Sequence, residues 1–266
     1  MTAEESAPMK ILVCIKQAPD LESAFRINEE GAGYDETGLV FRLNKYDENA
    51  LEEAALLKER FANVQITALT VGPQRWEAAA RRGLEFGADF GVHIVTPDSQ
   101  RLDALETASF LAAYAGGGRF DLLLFGVMSE DEERSQVGPM TAAILNLPYA
   151  TTVVKETISE DFSRVEVERE LEGGRREIIE MPLPAVLTVQ SSINLPRYPN
   201  LSNKLRARKQ EITIIHASTL PTPRKSSQLV RAYLPPPSKM GIFIEGTVEE
   251  QAETLIKLIH EKTGVL

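Results

Sequence analysis

From Lys10 onward, short apolar runs alternate with longer stretches whose apolar residues recur at helical spacing. This is the pattern of a sheet covered by helices on both faces. Ile11 to Ile15 predicts a buried strand, and Asp47 to Phe61 a helix with Leu51, Ala54, Ala55 and Leu57 on one stripe and Asp47 as its N-cap. Val64 to Val71 predicts a second strand stopped by Gly72-Pro73, and Trp76 to Phe86 a helix closed by Gly87. Val92 to Val95 reads as a strand, Leu105 to Tyr114 as a helix, Leu122 to Phe125 as a strand and Ser135 to Leu145 as a helix. The first half is therefore α/β, with a repeating parallel βα order.

After Pro148 the texture changes. Thr151 to Thr157, Val165 to Leu171 and Arg176 to Glu180 predict strands joined by turns at Glu160-Asp161 and Gly173-Gly174, an antiparallel extension. Ala185 to Gln190 returns to a buried strand. Residues 191–239 are punctuated by Pro196, Pro199, Pro221, Pro223 and the run Pro235 to Pro237, so few elements are expected there. Val248 to Ile259 predicts a terminal helix with Leu255, Ile256 and Ile259 on one stripe. The expected organisation is a disordered tail at 1–9, an α/β domain at 10–209 and a C-terminal arm with its helix at 210–266. An irregular arm of this length suggests wrapping on a partner.

The formal net charge of −10 argues against general affinity for nucleic acid, which depends on clustered Lys and Arg. The lone Cys14 excludes an internal disulfide and any thiolate-rich metal site built from this chain alone. A cytoplasmic location is expected, because MTAEESAPM has neither a signal-peptide core nor an Arg-rich transit pattern. No run reaches the length of a membrane span, so insertion into a membrane is not expected.

A nucleophile with its base and a pair of acids suited to bond chemistry are both missing from the sequence, which points away from an enzyme. His93, His216 and His260 lack metal-ligand spacing and read as structural or surface residues, and Cys14 as a small core hydrophobe. Open parallel sheets bind ligands at the carboxyl ends of their strands. Three loops fall there: Lys16 to Asp20, Val71 to Pro73, and GVMSEDEERSQVG from Gly126 to Gly138. The last leads into a helix whose first-turn N–H groups could hold a phosphate, with Arg134, Ser135 and Gln136 as donors. It is neither G-x-x-x-x-G-K-S/T nor G-x-G-x-x-G, and the acidic run Glu130 to Glu133 opposes an anion unless it caps the helix or faces solvent. Elsewhere, SSINLPRYPNLSNKLRARKQEI at 191–212 places Leu201 on a Pro-bounded loop among Arg197, Lys204, Arg206, Arg208 and Lys209. It reads either as a solvated loop with a charged helix face or as a hydrophobic anchor in a basic rim that catches a partner protein.

From about Met9 to the C-terminus the chain resembles the beta subunit of electron transfer flavoproteins. The resemblance is carried by ILVCIKQAPD, LNKYDENALEEAALLKE, LTVGP, GLEFGAD, SQVGPMTA, VEVERELEGGRREI and MPLPAVLTVQSSINLPRYPNL, with INLPRYPNL the most specific piece. It implies a Rossmann-like, adenine-nucleotide-binding α/β fold and a heterodimer whose larger alpha subunit holds most of the FAD. It also implies a structural AMP in this chain, with Cys14, Asn44 and Val71 on the adenine side and Ser135, Gln136, Val137 and Gly138 on the phosphate side. Tyr46 matches an aromatic position near the flavin, or is ordinary packing. The family's recognition loop maps to 191–201, with Leu201 at the anchor position for an acyl-CoA dehydrogenase and Tyr198, Pro199 and Arg206 beside it. Onward transfer to a membrane quinone reductase follows in such a carrier.

The sequence leaves the family pattern at Val137, where AMP-binding members have Thr, and at Arg134, where many have a small residue or Cys. In a bifurcating branch, which oxidises NADH, a second FAD replaces AMP and the loop resembles Asp-Gly-Asp-Thr-Ala before Gln-Val-Gly-Pro. This chain keeps Gln136 to Pro139 but has Glu132, Glu133, Arg134 and Ser135 before them. That bifurcating subunit, and a free-standing adenine-nucleotide sensor of the same fold, stand as the rival readings.

Overall fold

In the computed structural model, which describes residues 8–31, 33–98, 101–236 and 241–264, the βα alternation forms a nine-stranded sheet flanked by helices. The chain enters as β1 (Met9–Cys14) and makes a small antiparallel ribbon from β2 (Gln17–Pro19) and β3 (Phe41–Leu43). It continues through α1 (Lys45–Arg60), β4 (Val64–Gly72), α2 (Glu77–Glu85), β5 (Phe90–Val95), α3 (Ala104–Gly118), β6 (Leu122–Gly126) and α4 (Val137–Leu145). The antiparallel extension follows as β7 (Tyr149–Ile158), β8 (Arg164–Glu170) and β9 (Arg176–Pro182). Strand β10 (Ala185–Val189), helix α5 (Leu201–Lys209), strand β11 (Ile212–His216) and helix α6 (Val248–Thr263) complete the order.

The strands lie in the order β11-β5-β4-β1-β6-β10-β7-β8-β9. From β1 the winding goes to β4 and β5 on one side, then reverses to β6 and β10 on the other, all in parallel. The carboxyl ends of β1, β4 and β6 thus meet where the winding reverses, the place where open α/β sheets form a crevice.

Both faces of the parallel centre of this sheet, β1, β4, β6 and β10, are buried, with successive strand residues pointing to opposite sides. Ile11, Val13, Ile66, Ala68, Leu122 and Leu124 belong to one core with Ala50, Leu51, Ala54 and Leu57 of α1 and Leu84 of α2. The intervening Leu12, Leu69, Leu123 and Phe125 pack in the other with Phe110, Leu111 and Ala115 of α3 and Ala142 of α4. Burying each large aliphatic chain stabilises the fold by about 1.5–3 kcal/mol relative to exposure.

Several boundaries differ from the sequence reading. Asp47 is not the N-cap of α1, which begins at Lys45 after Asn44; its carboxylate turns inward instead. Helix α4 starts at Val137 and not Ser135, because Ser135 adopts φ +53°. Residues 191–239 hold α5 and β11, and β11 pairs with β5 along the sheet edge, so the arm begins after His216 and not at 210. The β-branched run Ile212, Thr213, Ile214 and Ile215 suits that edge, but its partner lies some 120 residues upstream and no local turn marks the pairing. Met9, 2% exposed, already belongs to β1, and residues 1–7 of the expected tail lie outside the described residues.

Candidate functional site

A cavity of about 510 Å³ opens at the carboxyl ends of β1, β4 and β6, within the size range of small-molecule sites. Cys14, Asn44, Asp47, Val71, Phe125 and Gly138 give it a buried floor. Glu36, Arg75, Asp98, Arg101, Arg134, Ser135 and Gln136 form an exposed rim. The cavity residues expected from sequence therefore come together, Cys14, Asn44 and Val71 deep inside and Arg134 to Gly138 along one wall. Tyr46 does not join them: it is half-buried outside the lining, with its Cβ against Gly126.

The floor is held by side chains that are already engaged. Asn44 donates from Nδ2 to the Met128 carbonyl at 2.9 Å and accepts the Glu130 N–H at 3.1 Å, fixing the start of the β6–α4 loop. Asp47 accepts the Lys16 N–H at 2.7 Å and the Gly126 N–H at 3.1 Å, so it joins the ends of β1 and β6. Burial pushes its carboxyl up to about 7, and the surrounding hydrogen bonds and Lys16 recover only part of that shift. Burial, reinforced by Asp47, also pushes the Cys14 thiol well up, which keeps it neutral and unreactive.

The wall at α4 is shaped by its backbone. No side chain caps the helix at Gln136, and Pro139 brings no N–H to its first turn. Ser135 at φ +53° is followed by Gln136 at φ −103° and ψ −34°, an alternation of hand that turns successive N–H groups toward one point, as in anion-binding nests. Gly138 lets the first turn approach the sheet, since a Cβ there would lie 2.5 Å from the Thr188 methyl. The acidic run neither caps the helix nor simply faces solvent. Asp131 pairs with Lys16 at 2.8 Å, Glu130 with Lys45 at 3.3 Å, and Glu132 with Arg101 at 3.3 Å and Arg134 at 3.7 Å. Cations from the turn after β1, from α1 and from the approach to α3 thus offset the carboxylates that would oppose an anion.

Sequence reading missed Asp47 as a floor residue, and also Trp76 and Thr96. Both of the latter line the cavity, and their Nε1 and Oγ1 atoms are buried without hydrogen-bond partners. Such atoms call for an explanation, a bound group among them. Trp76 follows the Gly72-Pro73 stop, which was the only available signal. Gly72 is required beneath it because a side chain there would overlap the indole. His93 is buried and neutral, its pKa lowered chiefly by burial, with Nε2 3.0 Å from the Gly72 carbonyl. Among the described residues, no group of three or more metal-ligating side chains occurs.

The segment 191–201 projects beside α1, held along it from Asn49 to Glu59. Tyr198 is 93% exposed, Leu195 89% and Leu201 71%. Leu201 opens α5 behind Asn200, whose side chain accepts the Asn203 N–H. The base of the segment is fixed, which the sequence did not reveal. Asn194 donates to Glu53 at 2.7 Å and to the Asn49 carbonyl at 3.0 Å, while Asn49 donates back to the Asn194 carbonyl at 3.0 Å. Arg197 holds Glu52 at 2.6 Å and Glu59 at 2.9 Å. Arg206 is exposed beside Tyr198 and Pro199, and its guanidinium donates to the Leu84 and Ala88 carbonyls at 3.1 and 3.2 Å at the end of α2.

An open, doubly wound α/β sheet with a small-molecule cavity at its point of reversal places the chain in the Rossmann-like class. A family model described as the electron transfer flavoprotein domain matches residues 32–220. The chain is 34% identical over 264 residues to the electron transfer flavoprotein subunit beta of Methylophilus methylotrophus, covering 96% of this chain and all of the relative. It is 33% identical over 244 residues to the Mus musculus subunit beta, covering 91% and 94%. To the mitochondrial subunit beta of Arabidopsis thaliana it is 31% identical over 253 residues, covering 95% and 99%. The chain belongs to the electron transfer flavoprotein family, on the side of its beta subunits. Among the described residues, no helix is long and apolar enough to cross a membrane.

Proposed function

We propose that this chain is the beta subunit of a heterodimeric electron carrier. An alpha subunit holds most of the FAD, a flavin-dependent dehydrogenase such as an acyl-CoA dehydrogenase supplies the electrons, and a downstream acceptor such as a quinone reductase receives them. Bound flavin supplies the electron uptake and release. The chain's own residues contribute positioning, with Tyr46 the candidate beside the flavin. The cavity is read as an AMP site, and the uncapped, nest-like start of α4 carries that assignment. Its N–H groups suit a phosphate, Lys16, Lys45 and Arg101 offset the loop's acidic run, and Trp76 and Thr96 offer unpaired polar atoms to the rest of the nucleotide. Val137 takes the place of the family's Thr, so backbone donors stand in for a hydroxyl there.

Nucleotides released from the purified heterodimer test the reading. One FAD and one AMP per dimer are expected; two FAD molecules would favour a bifurcating subunit, and a stable lone chain without flavin a nucleotide sensor. The docking role rests on Leu201, which stands exposed on a segment whose base is fixed. Leu201→Ala is expected to leave flavin content unchanged and to slow electron transfer from the dehydrogenase several-fold, since truncating an interface anchor costs about 1–2 kcal/mol or more. Unchanged stopped-flow transfer rates would remove Leu201 from that role.

A further inference from the structure

Between the short turn at Ala217–Thr219 and α6 the arm has no helix or strand among its described residues, yet it grips the protein at two places. Asp103, the N-cap of α3, accepts the Glu106 N–H through Oδ1 at 2.8 Å. Its Oδ2 accepts the Ser226 N–H at 2.6 Å, the Ser226 hydroxyl at 2.9 Å and the Ser227 N–H at 2.8 Å. Further along, the Ala232 N–H donates to the Gly31 carbonyl at 2.7 Å. These grips fall on two separate parts of the cavity's edge. Asp103 lines the cavity beside Arg101 and Leu102, while Gly31 sits between lining residues Glu30 and Gly33. The second part is itself a folded turn, closed by the Ile27–Tyr34 bridge.

We propose that residues 226–232 are a clamp joining these two lips, so that ligand exchange in the cavity requires the arm to let go; the proposal rests on the nucleotide reading above. The six links from Ser226 to Ala232 can span at most about 20 Å, which limits how far the lips can separate while both grips hold. Hydrogen bonds to a carboxylate are about twice as strong as neutral ones. Releasing the arm takes from Asp103 the three hydrogen bonds that its Oδ2 accepts from Ser226 and Ser227, which water must replace. Ser226, Ser227 and Ala232 are not among the lining residues, so the clamp acts on the walls and not on the ligand.

The test loads the purified heterodimer with radiolabelled AMP and follows its exchange against excess unlabelled AMP. Ser227→Pro removes an amide donor to Asp103, and Ala232→Pro removes the donor to Gly31. Each is expected to speed exchange about tenfold, the ratio that loss of one hydrogen bond represents, with the thermal midpoint lowered by only about 2–5 °C. The two variants lie at independent grips, so either one alone carries the test if the other fails to fold. Exchange at the wild-type rate in a folded variant overturns the clamp and leaves the nucleotide reading intact. A wild-type heterodimer that takes up no AMP overturns the nucleotide reading and the clamp with it.

Discussion

Replacing Asp47 by Asn tests the electrostatics of the cavity floor. The carboxyl is 6% exposed, and burial raises its pKa from 3.8 to about 7. The folded protein therefore holds this proton more tightly than the unfolded chain, so stability is greatest below about pH 4 as far as this group is concerned and falls as pH rises through about 7. A gap of about three units corresponds to roughly 4 kcal/mol over the full range, of which roughly 2–3 kcal/mol falls between pH 5 and pH 8. Asn at 47 does not titrate. It offers one acceptor where the carboxylate serves both the Lys16 and Gly126 amides, a cost of about 1–3 kcal/mol at every pH. That fixed cost cancels when the variant is compared with wild type at two pH values. Thermal unfolding of both proteins at pH 5 and pH 8 should show the midpoint difference moving in favour of Asp47→Asn by about 5–10 °C at the higher pH. A constant difference, or movement towards wild type, refutes the reasoning and means that the two amides hold Asp47 ionised.

Gly138→Ala places a Cβ 2.5 Å from the Thr188 methyl; the overpacking should cost about 1–3 kcal/mol, lower the thermal midpoint and weaken AMP uptake in equilibrium dialysis. Asn194→Ala removes the donor to Glu53 and the Oδ1 acceptor for Asn49, and is expected to cost about 1–3 kcal/mol and to speed amide exchange across 191–201 with the cavity residues unaffected.

The βα order was legible because strands buried on both faces leave unbroken apolar runs such as Leu122 to Phe125, while the helices keep one apolar stripe. Once the strands were in order, their carboxyl ends located the cavity and most of its wall. What stayed hidden depends on pairing across distance. Strand β11 needs β5, and the β2–β3 ribbon closes over a loop of more than 20 residues. The acidic run looked hostile to an anion only because Lys16, Lys45 and Arg101, its partners, are far away in sequence. Nothing local in the sequence shows that the carbonyls ending α2 lie within reach of Arg206.

Helix α1 ties these parts together. Its first turns face the cavity region, where Asn44 and Asp47 fix the ends of β1 and β6 and Tyr46 packs on Gly126. From Asn49 onward the same helix holds the projecting segment through Asn49, Glu52, Glu53 and Glu59. Burial raises both Glu53 and Glu156; the neighbouring Glu53 pushes Glu156 further, to about 8, while hydrogen bonds from Asn194 and Glu156 pull Glu53 back, so Glu156 retains a proton near neutral pH and the charge buried under that segment is reduced. A helix with Leu51, Ala54 and Leu57 sealed in the core is a rigid element. It fixes the cavity and the projecting Leu201 relative to one another more firmly than a loop could. On the docking role proposed above, a partner seated on Leu201 is thereby held in a set position relative to the cavity floor.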